Sequence, residues 1–169
     1  MGTPVSKALV AGSLAGLMLL AGCGGGLDQH EAKAARSLAG ELQGQQLAKK
    51  DAGCISRKWV GNVGTDKLVS SGVLKKDLTA DQHNKTKPSK DVVVGFVNAY
   101  FDCVNYGKLE AQKFNAARPD VINQDRFAQC ANAINRSDAK QAMVDDLLGK
   151  STELATSVNH KLISCAFTR

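Results

Sequence analysis

The residues of this 169-residue chain whose types could carry chemistry are five cysteines, three histidines, one serine–lysine pair and scattered carboxylates. Ser137-Asp138-Ala139-Lys140 fits S-x-x-K, in which a lysine one helical turn beyond a serine helps to take its proton. The S-D-N and K-T-G elements that complete that chemistry are missing, and Ser137 reads more simply as a helix N-cap. His30-Glu31 begins an H-E pair, but position 34 is Ala, so the second ligand of a zinc-protease helix is lacking. His83 and His160 add no metal spacing, and all three histidines read as solvated surface groups. Asp145-Asp146 has no partner that would assign acid and base roles. Gly24-Gly25-Gly26 leads to no Gly-Lys-Ser/Thr, so it is a tether and not a phosphate loop. No nucleophile, base and orienting group come together. The expectation is a protein that is not an enzyme, with no metal and no cofactor.

What the cysteines do depends on where the chain resides. After Lys7 the charge disappears, and Ala8–Ala21 is a run of Ala, Val, Leu, Met, Gly and Ser. As a helix that run would span about 21 Å, short of a hydrocarbon core of about 30 Å. A cationic start, a short apolar run and small residues at its end describe an export signal. The run closes with Leu20-Ala21-Gly22-Cys23, which resembles the lipobox of bacterial lipoproteins. In that family small residues open the backbone to signal peptidase, and the cysteine thiol accepts diacylglycerol. The resemblance implies a signal peptide over 1–22, lipidation of Cys23, and a Gly-rich tether over 23–29. A plain transmembrane anchor is disfavoured by Gly12, Gly16, Gly22 and the three glycines that follow Cys23. Two acyl chains hold a protein on a bilayer far better than one. The expected location is the cell membrane, lipid-anchored and facing outside the cytoplasm.

Cys54, Cys103, Cys130 and Cys165 then form an even set in an oxidising space, where two disulfides are the default. No C-x-x-C pair is present, which counts against a zinc ribbon or a thioredoxin-type redox site. Three pairings exist. A weak internal repeat favours Cys54–Cys103 with Cys130–Cys165. Ala52-Gly53-Cys54 and Ala128-Gln129-Cys130 open the two copies, while Val97-Asn98 and Val158-Asn159 precede the late cysteines.

The elements that position these cysteines read as helices. Ala34, Ala35, Leu38 and Leu42 mark a helix over 28–43, and Ala52, Ile55, Trp59 and Val63 fall on one face of 48–63. Gly64 ends that helix, Thr65 caps a short helix through Leu68, and Gly72 suits its C-terminal end. Ser89 caps a strongly apolar helix over 90–106, with Val93, Val97, Tyr100 and Val104 on one stripe. Leu109–Ala117 is a shorter helix ended by Pro119. Phe127, Cys130, Ala131 and Ile134 place another over 124–135. Ser137 opens one through Leu148, closed by Gly149, and Leu154, Val158, Leu162 and Cys165 align the last over 152–167. The fold class is all-α, a disulfide-stapled multi-helix domain over 30–169. With aromatic residues at 5%, its core must be built mainly from Ala, Val, Leu and Ile.

One surface feature stands out. Residues 75–90 hold Lys75, Lys76, Lys85, Lys87 and Lys90 with little apolar content, and are expected to form a mobile loop. Together with the formal charge of +6, these lysines suit contact with anionic lipid headgroups or an acidic wall polymer. Nucleic acid is not an expected partner, because the chain is exported and poor in aromatics. The Gly-rich tether and Ala-rich four-cysteine domain resemble small lipoproteins of actinobacterial cell envelopes. That resemblance implies location, lipidation and fold class, and brings no catalytic residues. The expected function is a non-enzymatic binding module acting on another envelope component or an external protein. Two alternatives are a carrier of an apolar ligand or lipid, lined by the Val-rich helix, and a prophage-type lipoprotein that blocks phage DNA entry.

Overall fold

The computed structural model describes residues 26–45, 47–81, 86–119 and 122–167. Within them the chain forms eight helices and no strand beyond one isolated bridge between Leu74 and Ala80. The helices are α1 (Gln29–Gly44), α2 (Lys49–Val63), α3 (Thr65–Ser70), α4 (Lys90–Cys103), α5 (Tyr106–Ala117), α6 (Gln124–Asn132), α7 (Arg136–Leu147) and α8 (Glu153–Cys165). The all-α expectation holds. Both disulfides expected from the internal repeat are formed, Cys54–Cys103 between α2 and α4 and Cys130–Cys165 between α6 and α8.

Local signals explain most helix ends. Asp28 caps α1 through its carboxylate on the Glu31 N–H, and Glu31 returns the bond to the Asp28 N–H. This reciprocal box satisfies two N–H groups that a helix start leaves unpaired. Asp28 and Gln29, both inside the segment 23–29 that the sequence assigns to a tether, thus belong to the cap and first turn of α1. Asn105, Asn123 and Thr152 cap α5, α6 and α8 with side-chain oxygens on backbone N–H groups. Three caps differ from expectation. Asn135, and not Ser137, caps α7, its Oδ1 accepting from the N–H groups of both Ser137 and Asp138. An amide oxygen two residues earlier takes the job that the serine hydroxyl was expected to do. Gly64, with φ of 84°, precedes α3, so Thr65 is the first helical residue and not its cap. Ser89 stands at the N-cap of α4 but its hydroxyl makes no capping bond.

Helix α4 is the hub. Seven of its residues are buried, from Val92 and Val93 through Phe101. It ends at Cys103, short of the expected 106, because Val104 turns extended and Asn105 starts a new helix. Antiparallel packing is written in the contacts. The indole N–H of Trp59 donates to the Val92 carbonyl at 3.0 Å, so the end of α2 meets the start of α4. Arg136 and Lys140 of α7 reach Phe101 and Asn98 of α4, so the start of α7 meets its end. The few aromatic rings concentrate here in an unbroken series, Trp59, Phe96, Tyr100, Phe101 and Tyr106, with neighbouring centroids 4.9–6.1 Å apart. Offset and edge-to-face rings of this kind contribute about 0.5–1.5 kcal/mol per pair beyond area burial.

Two smaller clusters flank the hub. Ala34, Ala35, Leu38, Val60, Leu68, Leu74 and Val92 join α1, α2, α3 and the turn beyond them. Ala111, Phe127, Ala128, Ala131 and Cys165 join α5, α6 and α8. The chain thus repeats a scheme: α1 packs on α2, which is stapled to α4, and α5 packs on α6, which is stapled to α8.

Candidate binding groove

Two apolar concavities meet along one side of α4. The first has a volume of about 450 Å³ and lies between α1, α4 and residues 71–81 and 86–88, with Leu38, Val73, Pro88, Val92 and Val93 in its walls. The second has a volume of about 460 Å³ and lies between α4, α5 and α7, walled by Leu47, Tyr100, Leu109, Ala116 and Met143. Leu42, Gln45, Phe96 and Leu147 line both, so the two form a single two-lobed groove. Each lobe lies within the range of about 300–1,000 Å³ typical of ligand pockets.

The groove exists because each wall helix has a reason to face it. Leu38 and Leu42 lie one turn apart on the buried stripe of α1. Val92, Val93, Phe96 and Tyr100 succeed one another on α4 at helical spacing. Leu147 closes α7 and remains 46% exposed, so a large apolar side chain stands at the junction of the lobes with water on one side. Polar groups sit at the rims: Glu41, Asp81 and Thr86 on the first lobe, Gln112, Lys113 and Asp146 on the second. Lys113 is held there by Glu110 at 2.8 Å and by the Tyr100 hydroxyl at 3.4 Å. Burial, and then the nearby Glu110 carboxylate, push the Tyr100 phenol far above its ordinary range, and the same causes act on Tyr106. Both phenols are therefore neutral across the physiological range, and Tyr100 is a hydrogen-bonding wall of the second lobe.

The residues singled out from the sequence fall elsewhere. Ser137 is exposed in the first turn of α7, while Lys140 points to Asn98 Oδ1 at 2.9 Å and lies over the Phe101 ring. The S-x-x-K pair is therefore not assembled for proton transfer. His30 and His160 are exposed at opposite ends of the chain, and His83 lies outside the described residues. Among the described residues no group of three His, Cys, Asp or Glu could hold a metal ion. Asp145 is buried and bonded to Gln141 and Thr152, which ties α7 to α8. Lys75 and Lys76 are exposed on a tight turn in which Lys75 donates its N–H to the Thr79 carbonyl and Ala80 donates to Ser37 of α1. Asp77 in that turn is pulled below the usual carboxylate range by the Thr79 hydroxyl and N–H. Lys87 and Lys90 are exposed, and Lys85 lies outside the described residues, as does Cys23. No described helix is long and apolar enough to cross a membrane.

Val92 and Val93 of the Val-rich helix line the first lobe. The sequence signal for Leu147 is the adjacent pair Leu147-Leu148 at a helix end, which amphipathic spacing alone does not single out. Comparison with known proteins returns no match, whether to family models, curated proteins or solved structures.

Proposed function

We propose that this chain is an exported lipoprotein, anchored through Cys23, that serves as a non-enzymatic binding module at the cell envelope with the two-lobed groove as its recognition surface. The observation that carries the binding role is the junction of Leu42, Phe96 and Leu147, where both lobes meet beside a half-exposed leucine. A concave apolar surface with a few polar rim groups is the usual form of a binding site. The compartment reading is supported by the lipobox sequence, and is consistent with two disulfides between widely separated helices.

A second reading has an observation in its favour. Successive α4 side chains, from Val92 to Tyr100, line both lobes in a continuous row, which suits a linear apolar ligand as well as a protein side chain. One experiment separates the two. A photoreactive amino acid at Leu147 in intact cells should capture a protein neighbour if the chain is an interaction module. Lipid recovered by organic extraction of the protein lacking its own acyl group supports the carrier. Neither capture nor lipid, from protein shown to be folded, removes the groove from the account.

A further inference from the structure

We infer that one end of the domain, formed by the start of α1, the last turn of α2, α3 and the start of α4, rests against the phospholipid headgroups of the membrane that anchors it. The inference rests on lipidation of Cys23. It starts from Leu27, the first packed residue among those described. Leu27 is half-buried and packs on the cluster of Ala34, Val60 and Leu68, with its Cδ2 3.5 Å from the point where a Cβ on Gly61 would lie. Asp28 is fixed by the reciprocal bonds with Glu31. Only Gly24, Gly25 and Gly26 separate the acylated residue from this packed point. Four Cα–Cα steps span about 14 Å when fully extended, and a Gly-rich chain of that length averages about 11 Å. The polar layer on each side of a bilayer is itself about 5–8 Å thick. A domain tied at Leu27 by such a link is held within about 6–9 Å of the outer edge of that layer even at full stretch.

The packing then says which residues are brought down. Gly61 lies beside Leu27, so the C-terminal turn of α2 and the following α3 share its level. Gly95 abuts Val63, and Val92 holds the Trp59 indole, which brings the start of α4 to the same end. The turn bearing Lys75 and Lys76 meets the middle of α1 through Ser37, with Asp77 near Lys33 and with Leu78 and Ala80 in the cluster that also takes Leu27. Lys33, Lys67, Lys75, Lys76 and Lys90 are all exposed at this end. They are matched by Asp28, Glu31, Asp66, Asp77 and Asp91, so the covalent link and not net charge sets the orientation. The lysines supply contacts to phosphate once the surface is near. Asn132, the last residue of α6, accepts from the Gly107 N–H just past the opposite end of α4, so α6 and the end of α8 stapled to it point away from the bilayer.

The test uses the full-length acylated protein in phosphatidylglycerol–phosphatidylcholine vesicles whose headgroups carry a nitroxide quencher. A coumarin-bearing amino acid is placed at Asn62, exposed in the last turn of α2, or at Gln129, exposed on α6. Both sites are on the surface, so the fold is not at stake. Quenching at position 62 should exceed that at 129 at least twofold. Lengthening the link by a dozen Gly-Ser residues between Gly26 and Leu27 should erase the difference. Equal quenching in the original protein, or stronger quenching at 129, overturns the orientation. Protein that does not float with the vesicles overturns the anchor instead, and the orientation with it.

Discussion

Gly107 and Gly40 make opposite predictions for the same substitution. Both are helical, and in a helix Ala is favoured over Gly by about 1 kcal/mol in the interior. At Gly40, in the middle of α1, an added Cβ would meet nothing within 4 Å. Gly40→Ala should therefore stabilise the protein by close to that amount. At Gly107, in the first turn of α5, the Cβ would run into the Ala128 carbonyl oxygen and lie 2.8 Å from the Asn132 side chain. The same backbone donates its N–H to Asn132 Oδ1 at 2.9 Å, so the glycine is where α5 and α6 come closest. An extra methyl in a packed contact costs about 1–3 kcal/mol, and the helices must also part enough to weaken that hydrogen bond. Gly107→Ala should lose about 0.5–3.5 kcal/mol net of its helix-propensity gain. Urea unfolding with disulfides intact reads both, and at about 2–4 °C per kcal/mol thermal melts should move in opposite directions. A Gly107→Ala variant as stable as the parent would mean that the α5–α6 approach is not as close as described.

Three other perturbations follow from single observations. Asp145→Ala removes the acceptor for Gln141 and Thr152, and should cost about 1–3 kcal/mol in urea unfolding by leaving partly buried donors unpaired. Replacing Cys130 and Cys165 together by Ala opens a 35-residue connection, worth about 4 kcal/mol in the chain-entropy model. Amide hydrogen exchange should then speed up across α8 while α4 stays protected. Tyr100 and Tyr106, the only tyrosines, both have phenols raised by burial. Above about pH 10 the unfolded chain releases these protons and the folded chain keeps them, so stability falls as pH rises, by about 1.4 kcal/mol per pH unit at most for Tyr100 and by less for the more exposed Tyr106. Spectrophotometric titration should show phenolate appearing together with unfolding, and ionisation of both rings near pH 10 in the folded protein would contradict their burial.

Helix positions were legible because amphipathic spacing is a local property. Ala34, Leu38 and Leu42, or Phe127 and Ala131, sit on the buried stripes that their spacing implied. Disulfide pairing was legible for a different reason: similar local phrases around Cys54 and Cys130 reflect a similar use of two helix pairs. What escaped was decided by short-range competition or by distant elements. Asn135 outbids Ser137 as a cap because its amide oxygen reaches two N–H groups at once. Helix α7 buries Ala139, Ala142, Val144 and Asp145, which do not lie on one stripe, because α4 and α8 press on it from two sides. The face of α2 is turned toward Val60 and Ser56, leaving Trp59 half-buried, because its ring must reach the Val92 carbonyl. The groove is a relation among α1, α4, α5 and α7, and no window of sequence contains it.

Intact mass spectrometry of the chain extracted from cells under non-reducing conditions tests the central claim most directly. The account predicts a polypeptide that begins at Cys23, carries added acyl mass on that residue and contains two disulfides. A species that retains Met1 or its neighbours, has no acyl mass and reacts with a thiol reagent at all its cysteines would contradict it.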